Sequence, residues 1–174
     1  MPGIALATIL GKPAAVTEEG PALAGSRAAD RAGAFWDEGY YCAESVLLAV
    51  AAELGISSPL LPRAATGLCS GLSRTAGMCG ALAGGVLGIG LGTGRDAPSD
   101  DLEECYALTG RLLAEFGARF GATTCPELLE CDVRTDEGRR RYAEKHLADR
   151  CRGFVAEAAA MAADLLGSRG RPSP

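Results

Sequence analysis

Cysteine is the residue type with the most chemical potential in this chain of 174 residues. The seven cysteines are Cys42, Cys69, Cys79, Cys105, Cys125, Cys131 and Cys151. No two of them have the CxxC spacing of zinc ribbons, bacterial ferredoxins and thioredoxins, and there is no CxxCH motif for covalent haem. An odd number cannot be fully paired in disulfides, and the first apolar stretch has no cation before it, unlike a secretory signal. We therefore expect a cytoplasmic protein whose cysteines serve as thiols or metal ligands.

Four of the cysteines lie where the sequence predicts that helices begin or break. Helical patterns begin at or beside Cys42, Cys79 and Cys125, and Cys151 lies within, or at a break in, the last helical stretch. The positive end of a helix dipole favours thiolate over thiol. Thiolates are the ligands that soft metals and clusters prefer. This placement is compatible with a metal site, although free cysteine is also common as a small buried residue.

The elements that must position these cysteines are predicted to be helices. Aromatic residues are 5% of the chain and glycine is abundant, which favours closely packed helices over a β-sandwich. Helical patterns cover residues 26–39, 42–54, 59–71, 78–90, 100–121, 124–130 and 135–166. We expect one all-α domain, a compact helical bundle over residues 26–167. A flexible leader (1–25) and a flexible tail (168–174) are expected to flank it.

A glycine-rich helix is predicted at the centre of this bundle. The uncharged stretch between Arg74 and Arg95 is long enough to cross a membrane, but its glycine content favours a buried helix and no membrane span. Its glycines recur every four residues, at Gly80, Gly84, Gly88 and Gly92. Each costs about 1 kcal/mol relative to alanine in a helix, so a close contact with a second helix is expected in return. Alternatively, Gly80 and Ala81 leave room for a bulky group beside Cys79.

The charge and the remaining motifs exclude several classes of function. The net charge of −5 leaves no basic surface of the kind that nucleic-acid binders carry. The single histidine, His146, lies among arginines and is interpreted as part of a solvated helix face. No phosphate-binding loop and no Ser-His-Asp set can be assigned. The cysteines therefore remain the best indication of function.

The cysteine motifs resemble those of the C_GCAxxG_C_C family, described as redox-active proteins with four signature cysteines. The sequence CGALAG at residues 79–84 matches a CGAxxG signature. It follows Tyr41-Cys42-Ala43 and precedes Cys125, in FGATTCPEL, and Cys151, in Asp149-Arg150-Cys151. The similarity covers about residues 28–166. It implies a compact helical domain in which Cys42, Cys79, Cys125 and Cys151 act together.

The resemblance also implies a cofactor. The family is similar to the cluster-carrying part of split-Soret-type cytochromes, in which such cysteines hold an iron–sulfur cluster beside haems. This chain lacks a haem-attachment motif, so haem transfer is not carried over. We expect a [2Fe–2S] or [4Fe–4S] cluster held by the four cysteines, with Gly80, Ala81 and Gly84 shaping its pocket. Electron transfer is expected rather than conversion of a substrate, with an unidentified redox protein as donor or acceptor.

The remaining cysteines and the nearby aromatic residues have simpler interpretations. Cys69, Cys105 and Cys131 are interpreted as structural, although Cys69 and Cys131 are each an alternative fourth ligand. The aromatic residues Phe35, Trp36, Tyr40 and Tyr41 flank Cys42 and are expected to shield the site from water.

Two other functions stay open at the level of sequence. The first is a thiol–disulfide redox protein without metal, in which two of the cysteines form a disulfide. The second is a helical module that binds zinc structurally or serves only in protein interaction. A homodimer is compatible with the glycine stripe and with the cytochrome resemblance.

Overall fold

The computed structural model describes the backbone of residues 21–168 and the side chains of residues 24–168. The helices are α1 (Pro21–Asp37), α2 (Cys42–Glu53), α3 (Leu60–Ala65), α4 (Cys69–Arg74), α5 (Gly80–Thr93), α6 (Glu103–Phe120), α7 (Cys125–Leu129), α8 (Asp136–Glu144) and α9 (Leu147–Gly167). The one extended pairing within these residues is an isolated antiparallel bridge between Met78 and Thr124. The prediction of an all-α bundle is confirmed.

Helices α1, α2, α5 and α9 form the main body of the bundle. Helix α1 runs antiparallel to α9. Two contacts show this: Gly25 donates a backbone hydrogen bond to Asp164 at one end, and Asp37 accepts two hydrogen bonds from Arg152 at the other. Helices α2, α5 and α9 run in the same direction, as the glycine contacts below establish. Alanine dominates the buried faces, since fully buried positions include Ala28, Ala32, Ala49, Ala81, Ala158 and Ala162. Small side chains allow helix axes to approach closely.

The glycine stripe of α5 is a helix–helix contact, as one of the two interpretations predicted. A Cβ on Gly84 would lie 2.5 Å from the carbonyl oxygen of Ala43, and one on Gly88 would lie 2.7 Å from a methyl group of Val50. The stripe therefore packs on α2 in parallel register. Gly85 lies beside Ala158, and Gly92, the last glycine of the stripe, lies beside Leu166 as well as Leu54, which sets α5 parallel to α9.

Some predicted boundaries differ from the observed ones. Helix α1 begins at Pro21 rather than near Ser26, and the break in the last helical stretch falls at His146, in a left-handed conformation, rather than near Asp149. The predicted helix over residues 59–71 ends at Ala65, and a 3-10 turn over Thr66–Leu68 follows it. Residues 1–20 and 169–174, where most of the predicted leader and tail fall, lie outside the described residues.

The segment labelled α4 departs from a right-handed helix. Residues Ser70 to Ser73 all have positive φ angles, between 55° and 68°, with ψ angles between 39° and 70°. This is a turn of left-handed helix, which costs about 1–2 kcal/mol for each residue other than glycine. Only Gly71 adopts it without that cost. Bonds from Gly77 N–H to the Gly71 carbonyl (3.0 Å) and from the Ser73 hydroxyl to the Gly67 carbonyl (2.8 Å) hold the turn closed.

In the described part of the chain, no helix reaches the length and hydropathy that crossing a membrane requires.

Candidate functional site

Three parallel helices begin at the same end of the bundle, and each begins beside a signature cysteine. Cys42 is the first residue of α2, Cys79 immediately precedes α5, and Cys151 lies in the second turn of α9. Because α2, α5 and α9 run in the same direction, these cysteines lie at one end of the bundle. Cys125, the first residue of the short helix α7, reaches the same place.

A short extended pairing holds Cys79 and Cys125 side by side. The backbone N–H of Cys79 donates to the carbonyl of Thr123 at 2.8 Å, and the N–H of Cys125 donates to the carbonyl of Gly77 at 3.0 Å. These two bonds flank the Met78–Thr124 bridge. The two cysteines are 46 positions apart in the chain, yet backbone hydrogen bonds set their relative positions directly.

All four signature cysteines line one cavity of about 300 Å³. Its lining also includes Trp36, Tyr41, Ser70, Arg74, Gly80, Ala81, Leu128, Leu129, Val133, Arg139, Tyr142 and Phe154. No carboxylate and no imidazole is among these described lining residues. The only soft donor atoms at the cavity are therefore the cysteine sulfurs, and the charged groups there are two arginines. Gly84, the third residue predicted to shape the pocket, packs on Ala43 instead and does not line the cavity.

The left-handed turn forms part of the cavity wall and contacts two of the cysteines. The backbone N–H of Ser70 donates a 3.4 Å hydrogen bond to Sγ of Cys42. A Cβ on Gly71 would lie 2.6 Å from Cβ of Cys125 and 3.4 Å from its Sγ. Strained backbone persists only where surrounding contacts over-determine it, and such segments concentrate at functional sites. Here the strained turn directs the N–H of Ser70 to the sulfur of Cys42, and the absent side chain of Gly71 makes room for Cys125.

Gly80 makes room for the sulfur of Cys42. A Cβ at this position would lie 2.4 Å from Cys42 Sγ, 3.0 Å from the carbonyl oxygen of Leu68 and 3.1 Å from Cα of Cys69. Two of these three neighbours are backbone atoms, which cannot easily move away. The sequence had indicated that Gly80 leaves space beside Cys79, and the space is used by Cys42.

A buried carboxylate fixes the start of α2. Glu44 is 8% exposed, and its two oxygens accept hydrogen bonds from the backbone N–H of Tyr41 (2.8 Å) and the hydroxyl of Thr66 (2.6 Å). The first bond caps α2 and the second ties it to the 3-10 turn that precedes Cys69. Glu44 therefore positions Cys42 although it does not line the cavity. The spacing of Tyr41 and Glu44 was the only sequence signal for this role.

Burial has a larger effect on the thiol pKa values than the positive ends of the helix dipoles have. Burial raises the pKa of Cys79 to about 11, against a smaller lowering by the backbone N–H groups of Leu82 and Ala81. Burial likewise raises the pKa of Cys151 to about 12 and that of Cys125 above its ordinary value. The net direction is therefore opposite to the one that the helix dipoles predict. Without a positive partner, these sulfurs are thiols at neutral pH.

Tyr142 was not identified from the sequence and contacts a signature cysteine. Its hydroxyl donates a long hydrogen bond, 3.8 Å, to Sγ of Cys151. This bond lowers the pKa of Cys151 in opposition to burial. Burial and then the charge of Cys151 raise the pKa of Tyr142 itself, so the phenol stays protonated and remains a donor.

Two of the four aromatic residues that flank Cys42 in the sequence lie at the site. Trp36 and Tyr41 line the cavity, while Phe35 packs edge-on against Tyr40 with ring centroids 5.9 Å apart. Phe154, which the sequence analysis did not single out, also lines the cavity and packs on other aromatic residues of the core.

Two of the three remaining cysteines lie near the site, and none lines the cavity. Cys69 is 6% exposed, and a hydrogen bond with Cys42, followed by burial, raises the pKa of its thiol far above the ordinary value. Cys131 is close enough to Cys125 and Cys151 to raise the pKa of both thiols, after burial. Cys105 packs on the hydrophobic core from α6. All seven cysteines are free thiols in this structure.

The cysteine sulfurs surround a space rather than a point. Among the described residues, no three histidine, cysteine or acidic side chains are arranged as the ligands of a single metal ion. His146 begins α9 outside the cavity lining, in keeping with its interpretation as a surface residue.

Comparison with known proteins identifies the class of this helical thiol-lined site. A family model described as "Putative redox-active protein (C_GCAxxG_C_C)" matches residues 40–165. The chain belongs to this family, which supports a general redox role. The matched range runs from Tyr40 to residue 165, near the end of α9, and includes all four signature cysteines. No curated protein and no solved structure matches the chain.

Proposed function

We propose that this protein is an electron carrier that holds an iron–sulfur cluster through Cys42, Cys79, Cys125 and Cys151. The observation that carries the proposal is that these four side chains, from four separate helices, line one cavity whose only soft donors are sulfur. Cysteine thiolates are the usual ligands of [2Fe–2S] and [4Fe–4S] clusters, and they select soft metals over Mg²⁺ or Ca²⁺.

The cavity fits a polynuclear group better than a single ion. Its volume of about 300 Å³ is roughly ten times the share of one water molecule in the liquid. A mononuclear zinc site, by contrast, draws its four ligands to within about 2.3 Å of one point. The small residues Gly80 and Ala81 line the cavity, and the room at Gly80 holds the sulfur of Cys42.

The electrostatics of the site suit a cluster with a net negative charge. Helices α2 and α5 begin at the cavity, and the positive ends of their dipoles favour an anion there. Turns with successive N–H groups also form anion-binding hollows at iron–sulfur sites, and Ser70 directs such a donor to Cys42. Arg74 adds positive charge to the lining, while Arg139, also in the lining, is paired with Asp136.

Each element of the chain has a separate role in this proposal. The cluster, when bound, supplies one-electron redox chemistry. The four thiols lose their protons and become its ligands. Trp36, Tyr41 and Phe154 exclude water, while the donors on Ser70 and Tyr142 stabilise negative charge on sulfur. Solvent exclusion and hydrogen bonds to sulfur both tune a reduction potential.

Metal and sulfide analysis of anaerobically purified protein tests the proposal. We expect brown protein that contains iron and acid-labile sulfide, with most of both lost in Cys79→Ser. The matched control is Cys105→Ser, because Cys105 lies on α6 and does not line the cavity. Colourless protein that stays free of iron and sulfide after anaerobic reconstitution would contradict the proposal, as would equal loss in the two variants.

A further inference from the structure

A fifth cysteine contacts one of the four signature cysteines. A Cβ placed on Gly80 would lie 2.4 Å from the sulfur of Cys42 and 3.1 Å from Cα of Cys69. The two cysteines are therefore neighbours at this position. The N–H of Ser70, the next residue after Cys69, lies 3.4 Å from the same sulfur. Both cysteines also belong to one apolar cluster beneath α2 and α3. This contact joins residues that are 27 positions apart.

The two thiols differ in access. Cys42 lines the cavity and is partly exposed, whereas Cys69 is 6% exposed and lies behind Cys42, outside the lining. Besides its interaction with Cys42, the Cys69 thiol donates only a long hydrogen bond, 3.8 Å, to the Ala65 carbonyl. An accessible thiol with a buried thiol behind it is the arrangement of an attacking and a resolving cysteine.

We propose that Cys42 and Cys69 form a reversible dithiol–disulfide pair that exchanges with small-molecule disulfides admitted by the cavity. The pair is a second redox site beside the cluster site. The cavity, of about 300 Å³ and open at the Cys42 sulfur, has room for part of a low-molecular-weight disulfide, which is the oxidant that we propose. Arg74 at the cavity favours a disulfide that carries carboxylates, whereas the guanidinium of Arg139 is paired with Asp136.

The exchange balances in two steps. The Cys42 thiolate attacks one sulfur of the small disulfide, and the S–S bond of that molecule breaks. A mixed disulfide forms on Cys42. One small thiolate leaves and takes up a proton. The Cys69 sulfur then attacks Sγ of Cys42 as its proton passes to the sulfur of the bound small molecule. The second small thiol leaves, and the Cys42–Cys69 bond forms. Two protein thiols are oxidised and one small disulfide is reduced to two thiols.

The pair also bears on the proposed cluster, and this consequence rests on the proposed function. A sulfur in a disulfide cannot serve as a thiolate ligand, so the oxidised pair removes Cys42 from the ligand set. We expect oxidised protein to take up at most a third of the iron that the reduced protein takes up. Reduction with dithiothreitol should restore uptake fully.

Thiol counting and peptide mapping of metal-free protein test the pair without reference to iron. Full-length reduced protein is treated anaerobically with a 100-fold excess of oxidised glutathione. We expect reactive thiols to fall from seven to five. Trypsin separates the relevant cysteines, since residues 32–63 contain Cys42, residues 64–74 contain Cys69 and residues 75–95 contain Cys79. The expected product is a disulfide that links the first two peptides.

Two variants make the assignment specific. Cys69→Ala should stop the reaction at the first step, with one glutathione retained on the 32–63 peptide. Cys105→Ser, the control, should still lose two thiols. The proposal is overturned if the wild-type protein loses no thiols, links Cys42 to another cysteine, or retains glutathione as Cys69→Ala does. None of these readouts requires a cluster. Protein that passes them but stays free of iron and sulfide after anaerobic reconstitution would refute the cluster and leave the pair standing, whereas protein that binds a cluster but fails them would refute the pair alone.

Discussion

Gly71 lies against Cys125 so closely that a Cβ on the glycine would be 2.6 Å from Cβ of the cysteine. The contact joins the left-handed turn after α3 to the first residue of α7. It exists because Gly71 has a φ of 68° and no side chain, so that the turn can reach the cysteine. The position of a signature cysteine thus depends on a strained turn 54 residues earlier in the chain.

Replacing Gly71 with alanine should destabilise the protein and disturb the site. The positive φ costs about 1 kcal/mol for alanine, and the clash with Cys125 adds about 1–3 kcal/mol. We expect a lower urea midpoint and loss of most bound iron. Gly121→Ala is the matched control, because Gly121 has a φ of 78° with nothing within 4 Å of its Cβ position. Equal losses in both variants would mean that the contact with Cys125 is unimportant.

Replacing Gly80 with alanine tests the space occupied by the Cys42 sulfur. The new Cβ would meet that sulfur and the backbone of Leu68 and Cys69, so we expect a destabilisation of about 1–3 kcal/mol. Gly90→Ala, in the same helix, meets nothing within 4 Å and should raise stability by up to about 1 kcal/mol. Thermal unfolding of the two variants measures the difference. A Gly80→Ala protein as stable as Gly90→Ala would refute the close packing of Cys42.

Replacing Tyr142 with phenylalanine removes a hydrogen-bond donor from Cys151. Donors to cluster sulfurs help set the reduction potential, and their loss disfavours the more negative, reduced state. We expect the cluster in Tyr142→Phe to have a more negative potential at nearly unchanged iron content. Tyr106→Phe is the control, because Tyr106 is 66% exposed on α6. Redox titration followed by visible absorbance measures the shift, and a potential equal to that of the control would contradict the role.

Alkaline pH should destabilise the metal-free protein. Burial raises the pKa of Cys79 to about 11 and of Cys151 to about 12, above the usual thiol value of about 8.5. The unfolded chain therefore ionises these thiols at lower pH than the folded protein does. Their contribution to stability is complete below about pH 8.5 and is lost as pH rises through 11 to 12. Urea unfolding under reducing conditions should give a lower midpoint at pH 10 than at pH 7.5.

Removing the two buried thiols is the control for this pH dependence. In Cys79→Ala combined with Cys151→Ala, the difference between the midpoints at pH 7.5 and pH 10 should shrink. An unchanged difference would mean that other groups, such as exposed lysine and tyrosine, cause the alkaline loss.

Local sequence was sufficient for most helices and for the choice of cysteines. The apolar run after Cys42 predicted α2 to within one residue of its end, because helix propensity and a following glycine act over a few residues. The four-residue glycine period predicted a close helix contact, because spacing alone determines which side chains share a helix face. The resemblance to the family selected Cys42, Cys79, Cys125 and Cys151, and the structure brings all four to one cavity.

What local sequence did not determine depends on contacts between distant segments. Gly71 alone favours a left-handed conformation; the turn extends over Ser70, Leu72 and Ser73 because tertiary hydrogen bonds and the packing of Cys125 outweigh its strain. The contact of Cys69 with Cys42 and the hydrogen bond from Tyr142 to Cys151 likewise had no signal in spacing. Helix propensity is a local property of the chain, whereas the distance between two sulfurs is set by how whole helices pack, and only the folded structure decides it.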